Sequence, residues 1–483
     1  MAETAVPRIK ADVLAGPVDL KRVHFVGIGG SGMLPVARAC AERGYTVSGS
    51  DIRDSSGLAA LAELGVGVFS GHEAGHVPVD ASAVVFTGAV RDDNPEILRA
   101  KELGVPVVHR SMALSTLMSW RTSVAVLGAH GKSSTASMLA FALSRLGQDP
   151  SYVLGADVEG LGSGGHVGDG GFFVAEVDES DRSHVGVHMS VAVITNISHD
   201  HPETYAGVGD LVDAYEECVR TGLAEGGTLV LNADSEGCRE LASRLAMAAD
   251  GPRVVTFGTS SSADWRLTEI AGTGGRPTAV LTGPNGTELD LGLRVVGIHQ
   301  LLNAAATVAA LNVLGQDPDL VAEHLLSFEG ARRRMTPAGV TAGVRLYDSY
   351  AHHPEEVAAD LAAAHTLLQG DEGRVLMVFQ PSDDVRLSVF GKEFGVALAG
   401  CDEVVLTDSS RGVHPGALEL LSSRIVQARG PVVDVVPDRD KAMFYAARSA
   451  RPGDVVVLMG AGDIVEHGRV LLAALKEMAL VAV

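Results

Sequence analysis

Short apolar runs alternate with amphipathic helical patterns along nearly the whole chain, and this alternation predicts parallel β-sheets with helices on their faces. The pattern occurs in three successive stretches. The first stretch begins with VHFVGIGG from Val23, the second with TSVAVLGAHGKSS from Thr122, and the third near VRLYDSYAHHP from Val344. We therefore predict an α/β fold of three domains, whose boundaries we place at 1–119, 120–331 and 332–483.

We expect a Rossmann-like N-terminal domain, a central P-loop ATPase-like α/β domain and a Rossmann-like C-terminal domain. Between the second and third stretches, the segment from Phe257 to Gln300 is rich in Gly, Thr and Ser and contains Asn-Gly and Gly-Gly turns. Apolar and polar residues alternate within it. That pattern predicts a small antiparallel β segment attached to the central domain.

Composition narrows the range of partners. Of 483 residues, 46% are hydrophobic and 20% are charged, and acidic residues outnumber basic ones by 60 to 38, which gives a formal net charge of −22. Because no Lys/Arg run offsets this charge, nucleic acid and anionic membranes are poor partners. The scattered cysteines, with no signal peptide and no apolar run long enough to span a membrane, predict a cytoplasmic protein.

The stretch GAHGKSS, at Gly128–Ser134, follows an apolar β-run and precedes a helical pattern over 136–146. This is the context of a phosphate-binding loop. Backbone N–H groups and the helix N-terminus attract oxyanions, Lys132 bridges two phosphates, and the Ser133 hydroxyl ligates Mg²⁺. The loop lacks the leading glycine of the full consensus, since Val126 stands there. We predict nucleotide binding, and the alternative is an ordinary strand-to-helix turn.

Two polar stretches follow apolar runs in the same domain and supply candidate metal ligands. FFVAEVDESD ends its strand at Glu176, and VAVITNISHDH continues with Asn196, Asp200 and His201. Hard oxygen ligands at the ends of neighbouring strands suit Mg²⁺. We predict that Glu176 and Ser133 hold one Mg²⁺ and that His201 serves a second.

The same stretches allow two other interpretations. Asp178, Glu179 and Asp181 form a solvated acidic loop without a ligand, or His199 and His201 bind zinc. No third zinc ligand stands at a convincing spacing.

The first domain opens with a glycine-rich turn, GIGGSG at residues 27–32, and Asp51 ends the next strand. An acidic residue about 20 positions after such a turn nearly completes a dinucleotide-binding fingerprint, so the turn fits NAD or another ligand with a pyrophosphate. The second phosphate loop favours a nucleotide-linked substrate here and ATP elsewhere. A close-packed turn without a ligand is the alternative.

Ten short motifs in order resemble those of the Mur ligases: HFVGIGGSGM, SGSD, GAHGKSST, EVDESD, NISHDHPETY, GIHQLLNAAA, FEGARRR, YDSYAHHPEEV, FQP and GAGDI. The resemblance covers essentially the whole chain. Within the family it is strongest with the branch that joins L-alanine to UDP-N-acetylmuramate in peptidoglycan synthesis. It implies one domain for the UDP substrate, one for ATP, and a third that closes over both and brings in the amino acid.

The resemblance also implies roles for individual residues. The UDP substrate lies at Gly29, Gly30, Ser31, Gly32, Ser50, Asp51, His72 and Thr87. ATP lies at Gly128, Ala129, His130, Gly131, Lys132, Ser133, Ser134, His299, Asn303, Arg333 and Asp348. The amino-acid site and the groups around the reacting atoms include Lys132, His201, Arg333, Tyr350, His352 and Arg386. His352 and His353 before Pro354 also fit a polar helix start.

The implied reaction has two steps. The muramyl carboxylate attacks the γ-phosphate of ATP to give an acyl phosphate, and the amine of the amino acid then displaces phosphate. Lys132, two Mg²⁺ and an arginine spread the developing negative charge, so no protein nucleophile is needed.

The chain departs from the family pattern in three places. The segment ETYAGVGDLVDAYEECVR has no lysine, and the alanine-adding branch does without the modified lysine that other Mur ligases carry there. Ala129 replaces a threonine. FQP is followed by SDDVRLS in place of a His/Arg-rich segment, which leaves Arg386 and adds Asp383 and Asp384. Those aspartates would repel a carboxylate and favour a more cationic amine, so the identity of the amino acid stays open.

The leading hypothesis is an ATP-dependent alanine ligase that acts as a monomer or homodimer. One alternative is a paralogue that joins a different acid and amine, in specialised metabolism or peptide salvage. Another is a catalytically weak nucleotide-binding or regulatory protein, against which Lys132, Glu176 and His201 argue. An NAD dehydrogenase would leave the second phosphate loop without a role.

Overall fold

The computed structural model describes residues 16–247, 251–368, 373–409, 412–414 and 416–481. They form two compact units. The first unit takes the described residues of Met1–Ser198, Val208–Phe257 and Ala306–Val321, and the second takes His199–Gly207, Gly258–Ala305 and the described residues of Ala322–Val483. No helix within the described ranges is long and apolar enough to cross a membrane.

A parallel sheet opens the first unit. Within the described chain its strands are β1 to β5, at Arg22–Val26, Thr46–Asp51, Gly67–Ser70, Ala83–Phe86 and Val107–His109. Helices α1 to α4 lie at Leu34–Glu42, Ser56–Glu63, Pro95–Leu103 and Arg110–Met118. The spatial order is β3-β2-β1-β4-β5. Because the order reverses between β1 and β4, a crevice opens at the carboxyl ends of these two strands, where the glycine turn leaves β1.

A second sheet in this unit is centred on β6. Its strands β6 to β12 lie at Thr122–Leu127, Ser151–Val153, Gly165–His166, Phe172–Glu176, Met189–Ile194, Leu223–Asn232 and Arg253–Gly258. Helices α5 to α7 lie at Lys132–Arg145, Val208–Gly222 and Glu236–Ala246. β6 runs parallel to both of its neighbours, β9 and β10. The carboxyl ends of these three strands therefore meet at one edge, as the predicted ATP site requires.

The second unit contains an antiparallel meander and a third sheet. The meander strands β13 to β15 lie at Trp265–Thr273, Arg276–Thr282 and Glu288–Gly292, where we predicted antiparallel structure. Helices α8 and α9 lie at His299–Val313 and Pro318–Leu325, and their residues within Ala306–Val321 belong to the first unit. The third sheet takes β16 to β21, at Arg334–Thr341, Val344–Ser349, Val375–Phe379, Glu403–Leu406, Val433–Val435 and Val455–Met459. Helices α10 to α14 lie at Pro354–Thr366, Asp384–Leu398, Ala417–Gln427, Arg439–Ser449 and Gly468–Val481.

The order of the third sheet is β16-β17-β21-β18-β19-β20, and β16 is an antiparallel edge strand that the apolar pattern did not predict. Its central strands are buried on both faces. Met377 and Phe379 of β18 share a core with α10 and α11, whereas Leu376 and Val378 share one with α13 and α14. A strand covered on both sides has a continuous apolar sequence, here VLMVF. The predicted α/β fold class is confirmed, with one sheet in each of the three predicted stretches, and the exact domain boundaries stay a prediction.

A substitution at Gly49 in β2 can test how tightly the first sheet is packed. A Cβ on Gly49 would lie 2.6 Å from the Phe25 carbonyl oxygen and 2.7 Å from Cδ1 of Ile28. We expect Gly49→Ala to destabilise the protein by about 1–3 kcal/mol, as overpacking does. Gly67→Ala in β3 is the matched control, since its Cβ would meet nothing nearer than 3.5 Å. Equal urea midpoints for the two variants would contradict this packing.

Candidate active site

The nucleotide loop predicted at Gly128–Ser134 joins buried strand β6 to helix α5. Gly128 and Gly131 have φ of 118° and 82°, in the region that favours glycine. A Cβ on Gly128 would also lie 2.8 Å from the Asn196 carbonyl oxygen. Helix α5 begins at Lys132, earlier than the predicted Ala136, because the turn at Gly131 leads directly into it. Ser133 and Ser134 are buried in its first turn.

Asn196, just after β10, holds this loop from the adjacent strand. Its carbonyl oxygen accepts a hydrogen bond from Ala129 N–H at 3.1 Å. Its side-chain Oδ1 accepts from His130 N–H at 3.1 Å, and its Nδ2 donates to the His130 carbonyl at 2.8 Å. The Tyr215 hydroxyl accepts from Gly128 N–H at 3.1 Å. Since protein groups engage these three N–H groups, the N-terminus of α5 is the part of the loop best suited to meet a phosphate.

Lys132 lies folded over the loop. Its Nζ donates to the carbonyl oxygens of Gly128 at 2.6 Å and Ala129 at 3.1 Å, and to Oε1 of Glu179 at 2.9 Å. Burial opposes the charge on this amine, but the carboxylates led by Glu179 outweigh burial and raise the pKa of Lys132. The side chain is therefore a cation that is already positioned before a ligand arrives.

The acidic loop at 178–181 is tied into the structure, so the solvated-loop alternative does not hold. The side chain of Glu179 is 1% exposed against Lys132. Asp181 lies 2.9 Å from Nε2 of His109, and Asp178 lies 3.3 Å from the Arg110 guanidinium. Burial works to raise the pKa of Asp181, but hydrogen bonding from His109 outweighs it and holds that pKa well below its ordinary value. These carboxylates connect the end of the first sheet to the nucleotide loop.

Two of the predicted metal ligands lie together. Ser133 Oγ donates to Oε1 of Glu176 at 3.0 Å, and Gly155 N–H donates to Oε2 of Glu176 at 2.8 Å. A hydroxyl and a carboxylate at this spacing fit the oxygen ligands that Mg²⁺ prefers. The third predicted ligand, His201, belongs to the second unit. There its Nδ1 lies 3.1 Å from Oε1 of Glu203.

At the crevice of the first sheet, the glycine turn is supported from both sides. Gly29 N–H donates to Oδ2 of Asp51 at 2.9 Å, so Asp51 shapes the turn. A Cβ on Gly32 would collide with the guanidinium of Arg110. No motif indicated Arg110, which begins α4 far along the chain. Gly30 and Ser31 are exposed at the turn. A cation beside a helix N-terminus suits a pyrophosphate.

The other predicted contacts of the UDP substrate differ in accessibility. Ser50 is fully buried, and its hydroxyl donates to Oε2 of Glu96 at 2.5 Å. It also lies 2.8 Å from Nδ1 of His72, whose side chain is 22% exposed. Thr87 follows β4, and its hydroxyl accepts from Ala89 N–H at 3.3 Å. Ser50 therefore acts on a ligand only through a neighbour.

In the second unit, the predicted adenine contacts form one polar row on α8. Asn303 Nδ2 donates to Oε1 of Gln300 at 2.9 Å, and Gln300 Nε2 lies 3.2 Å from Nε2 of His299. Burial lowers the pKa of His299 to about 4, so its ring is neutral near pH 7. Asp348, the predicted ribose contact, has a buried Oδ1 that no donor within the described ranges reaches. An unsatisfied buried acceptor fits a ribose hydroxyl.

Arg333, predicted at the γ-phosphate, is anchored by the GAGDI motif. Its guanidinium donates to the carbonyl oxygens of Gly460 at 2.7 Å and Gly462 at 2.8 Å, and it stacks 4.6 Å from the Tyr350 ring centroid. Its backbone has φ of 62°. The contacts fix the direction of the side chain, and its contact with phosphate stays a prediction.

The residues predicted for the amino-acid site are held by hydrogen bonds within the second unit. Arg386 donates to Oδ1 of Asp200 at 2.5 Å and lies 3.4 Å from Nδ1 of His201. Nδ1 of His352 lies 3.0 Å from the Tyr350 carbonyl oxygen, so this nitrogen carries the proton and Nε2 is an acceptor. His353 caps α10, so it lies at a helix start as the alternative expects, but it is buried and forms no polar surface there.

Comparisons with known proteins agree with this architecture. Models of the Mur ligase family, catalytic domain, the Mur ligase middle domain, and the Mur ligase, glutamate ligase domain, match residues 22–122, 126–311 and 333–462. A UDP-N-acetylmuramate–L-alanine ligase of Streptomyces avermitilis is 43% identical over 464 residues, which are 95% of this chain and 99% of the relative. The chain belongs to the Mur ligase family.

Other Mur ligases extend the comparison. The UDP-N-acetylmuramate–L-alanine ligase of Thermobifida fusca is 40% identical over 466 residues, covering 94% of this chain and 97% of the relative. The crystal structure of a UDP-N-acetylmuramate-alanine ligase from Thermotoga maritima has a TM-score of 0.79 at 29% identity, covering 95% of this chain and 99% of that chain. A MurF ligase from Thermotoga maritima in complex with ADP shares the fold at 17% identity, with a TM-score of 0.62 over 96% of this chain and 100% of that chain.

The acidic departure from the Mur ligase pattern has a structural explanation. Asp383 caps α11 by accepting from Arg386 N–H at 2.8 Å. Asp384 accepts from His414 N–H at 2.8 Å and so holds the 412–414 segment. Both carboxylates stabilise local backbone in this unit. A local structural role therefore accounts for their presence, and the identity of the amine stays a prediction.

Gly155 offers a test of the predicted metal pair. A Cβ at this position would overlap the Glu176 carboxylate, so we expect Gly155→Ala to displace it from Ser133. Affinity for ATP in the presence of Mg²⁺ should fall about tenfold, the size of effect that supporting residues of metal sites have, while affinity in EDTA is unchanged. Fluorescence titration with an ATP analogue measures both. Gly171→Ala is the control, because a Cβ there meets nothing within 4 Å. Equal Mg²⁺ effects in both variants would contradict the assignment.

The buried carboxyl of Asp360 should make the stability of the folded protein depend on pH. It accepts a hydrogen bond from Ser349, and burial raises its pKa to about 7. The pKa of an unfolded aspartate is about 3.9, so the folded state binds the extra proton and loses stability as pH rises from about 4 to about 7. Asp360→Asn should melt progressively higher than the wild type across that window, with a constant difference above it. Exposed Asp290→Asn should track the wild type. A pH-independent difference for Asp360→Asn would contradict the shift.

Proposed function

We propose that this chain is an ATP-dependent ligase that joins L-alanine to the carboxylate of UDP-N-acetylmuramate, a step of peptidoglycan synthesis. The observation that carries the proposal is 43% identity over 95% of the chain to a ligase named for this pair of substrates. The geometry supports it, because Lys132 is held over a loop that Asn196 has already shaped. The proposal includes a cytoplasmic location and a monomer or homodimer.

In the first step, an oxygen of the muramyl carboxylate attacks the γ-phosphorus of ATP, the bond to the bridging oxygen breaks, and ADP leaves. Lys132 and the N-terminus of α5 stabilise the charge that develops on the phosphate oxygens. When bound, Mg²⁺ supplies further electrostatic stabilisation there, and Ser133 and Glu176 would hold it, with His201 at a second ion. Arg333, fixed by two carbonyl oxygens, is the candidate for the γ-phosphate.

In the second step, the amine nitrogen of L-alanine attacks the acyl carbon, the bond from that carbon to the phosphate oxygen breaks, and inorganic phosphate leaves. The nitrogen must also lose a proton. His352 is suited to accept it, because its Nδ1 proton is directed at the Tyr350 carbonyl and leaves Nε2 as an acceptor. Burial lowers the pKa of His352, which keeps the ring neutral near pH 7.

The first sheet is proposed to bind the nucleotide sugar at its crevice. Gly30 and Ser31 are exposed there, and Arg110 lies over Gly32. This arrangement can bind a pyrophosphate through backbone N–H groups and one guanidinium. The structure gives no ground for preferring the paralogue with another amine, since Asp383 and Asp384 have local partners.

Phosphate release tests this function. With ATP, Mg²⁺ and UDP-N-acetylmuramate, we expect release with L-alanine to exceed release with lysine, aspartate or a preformed tripeptide. Lys132→Met should lower kcat at least about 100-fold, as removal of a charge-stabilising donor does. Lys392→Met, an exposed lysine on α11, is the matched control and should keep full activity. Release with another amine alone would replace the proposed substrate, and full activity of Lys132→Met would remove the loop from the reaction.

A further inference from the structure

Glu96 is a fully buried carboxylate near the predicted UDP site. It lies in the first turn of α3, its side chain is 0% exposed, and His24, His72 and His76 lie around it. A side chain without exposed surface cannot touch a ligand. Whatever it does for a substrate, it does through these neighbours.

Ser50, His76 and the backbone of Glu73 supply donors to the carboxylate, and His24 lies beside it. Ser50 Oγ donates to Oε2 at 2.5 Å, and Nδ1 of His76 lies 2.9 Å from Oε1. Glu73 N–H donates to Oε1 at 3.3 Å, and Nε2 of His24 lies 3.5 Å from Oε2. Burial works to raise the pKa of Glu96, but the donors, led by His24, outweigh it and lower that pKa. Glu96 is therefore an anion that only accepts hydrogen bonds.

This anion determines which nitrogen of His72 carries the proton. A serine hydroxyl has one hydrogen, and Ser50 gives it to Glu96, so Ser50 Oγ must accept from Nδ1 of His72 at 2.8 Å. In the neutral ring the other nitrogen, Nε2, is then an acceptor. With 22% of its side chain exposed, against 15% for His76, His72 is the most accessible of the histidines around Glu96 and can meet a ligand.

His72 also lies where a nucleotide base would be expected. It follows β3, and the preceding Gly71 donates to the Asp51 carbonyl oxygen at 2.8 Å, so both lie at the same edge of the sheet as the glycine turn. In crevices of this type the pyrophosphate lies at the turn after the first strand and the ribose at the end of the second. The base then lies beyond the second strand, towards β3.

We propose that Glu96 is a positioning residue for base selection: through Ser50 it presents Nε2 of His72 as an acceptor that binds the N3–H of uracil and disfavours cytosine. Cytosine has an acceptor at N3, so two lone pairs would face each other. The proposal rests on the proposed function for the identity of the base. It extends that function to a residue that touches no substrate and to the basis of discrimination between pyrimidines.

A purely structural role for Glu96 is the competing explanation, because an acidic side chain in the first turn of a helix is stabilising. That role predicts loss of folding or of all binding together. It predicts neither a particular His72 tautomer nor a selective loss of base preference. The two explanations therefore differ in a measurable way.

The experiment measures UDP and CDP binding to the full chain by calorimetry, with ¹⁵N-histidine NMR of the same samples. The wild type should prefer UDP by about 100-fold or more, as sites with a hydrogen-bonding requirement do. Its His72 signals, identified with His72→Gln, should report a protonated Nδ1 and an unprotonated Nε2. Ser50→Ala and Glu96→Gln should reduce the preference to about threefold or less and leave ATP affinity unchanged.

Glu102→Gln, an exposed acid on the same helix, is the matched control and should keep the full preference. Should Glu96→Gln fail to fold, Ser50→Ala and the wild-type tautomer decide the question. A wild-type His72 protonated at Nε2, or an unchanged preference in Ser50→Ala, overturns the proposal. A wild type that binds no UDP overturns it as well, and the phosphate-release assay then shows separately whether the proposed function fails.

Discussion

The two hydrogen bonds between the Asn196 side chain and the main chain of His130 hold together the part of the molecule on which the rest depends. They fasten the nucleotide loop of β6 to the end of β10, so the loop takes its shape from the sheet. Gly128 can approach Asn196 this closely only because it has no side chain. The same geometry starts α5 at Lys132 and directs its amine back over the loop. Catalysis by positioned charge requires this kind of rigidity.

Much of the fold could be predicted from local pattern. Strand VLMVF is apolar throughout because helices cover both of its faces, and the Gly/Thr/Ser-rich segment alternates because it forms an antiparallel meander. Edge strand β16 was missed, since an edge strand with one exposed face carries a weak apolar signal. The start of α5 was missed because GKSS is read as a loop until the turn at Gly131 is known.

The candidate site was predictable where its chemistry is local and not where it depends on distant contacts. The Ser133–Glu176 pair followed from two strand ends that adjoin in the sheet. Arg110 and Glu96 could not be found in this way, because no spacing in the sequence places an α4 arginine over Gly32 or an α3 glutamate behind Ser50. Gly155 belongs to none of the sequence motifs, and only the fold shows that a side chain there would meet Glu176.

Carboxylates accompany three of the cations that are proposed to lie in the site, whereas Arg333 is held by carbonyl oxygens. Glu179 forms an ion pair with Lys132, and Asp178 forms one with Arg110. In the second unit, Asp200 forms an ion pair with Arg386. The resting protein thus avoids the mutual repulsion of unpaired positive charges and retains an acidic surface. When a polyphosphate binds, it replaces a carboxylate as the partner of the cation. Its association therefore depends less on ionic strength than association with a basic groove without paired carboxylates would. Selectivity then rests on shape and on the number of oxygens offered, and simple anions such as chloride compete poorly.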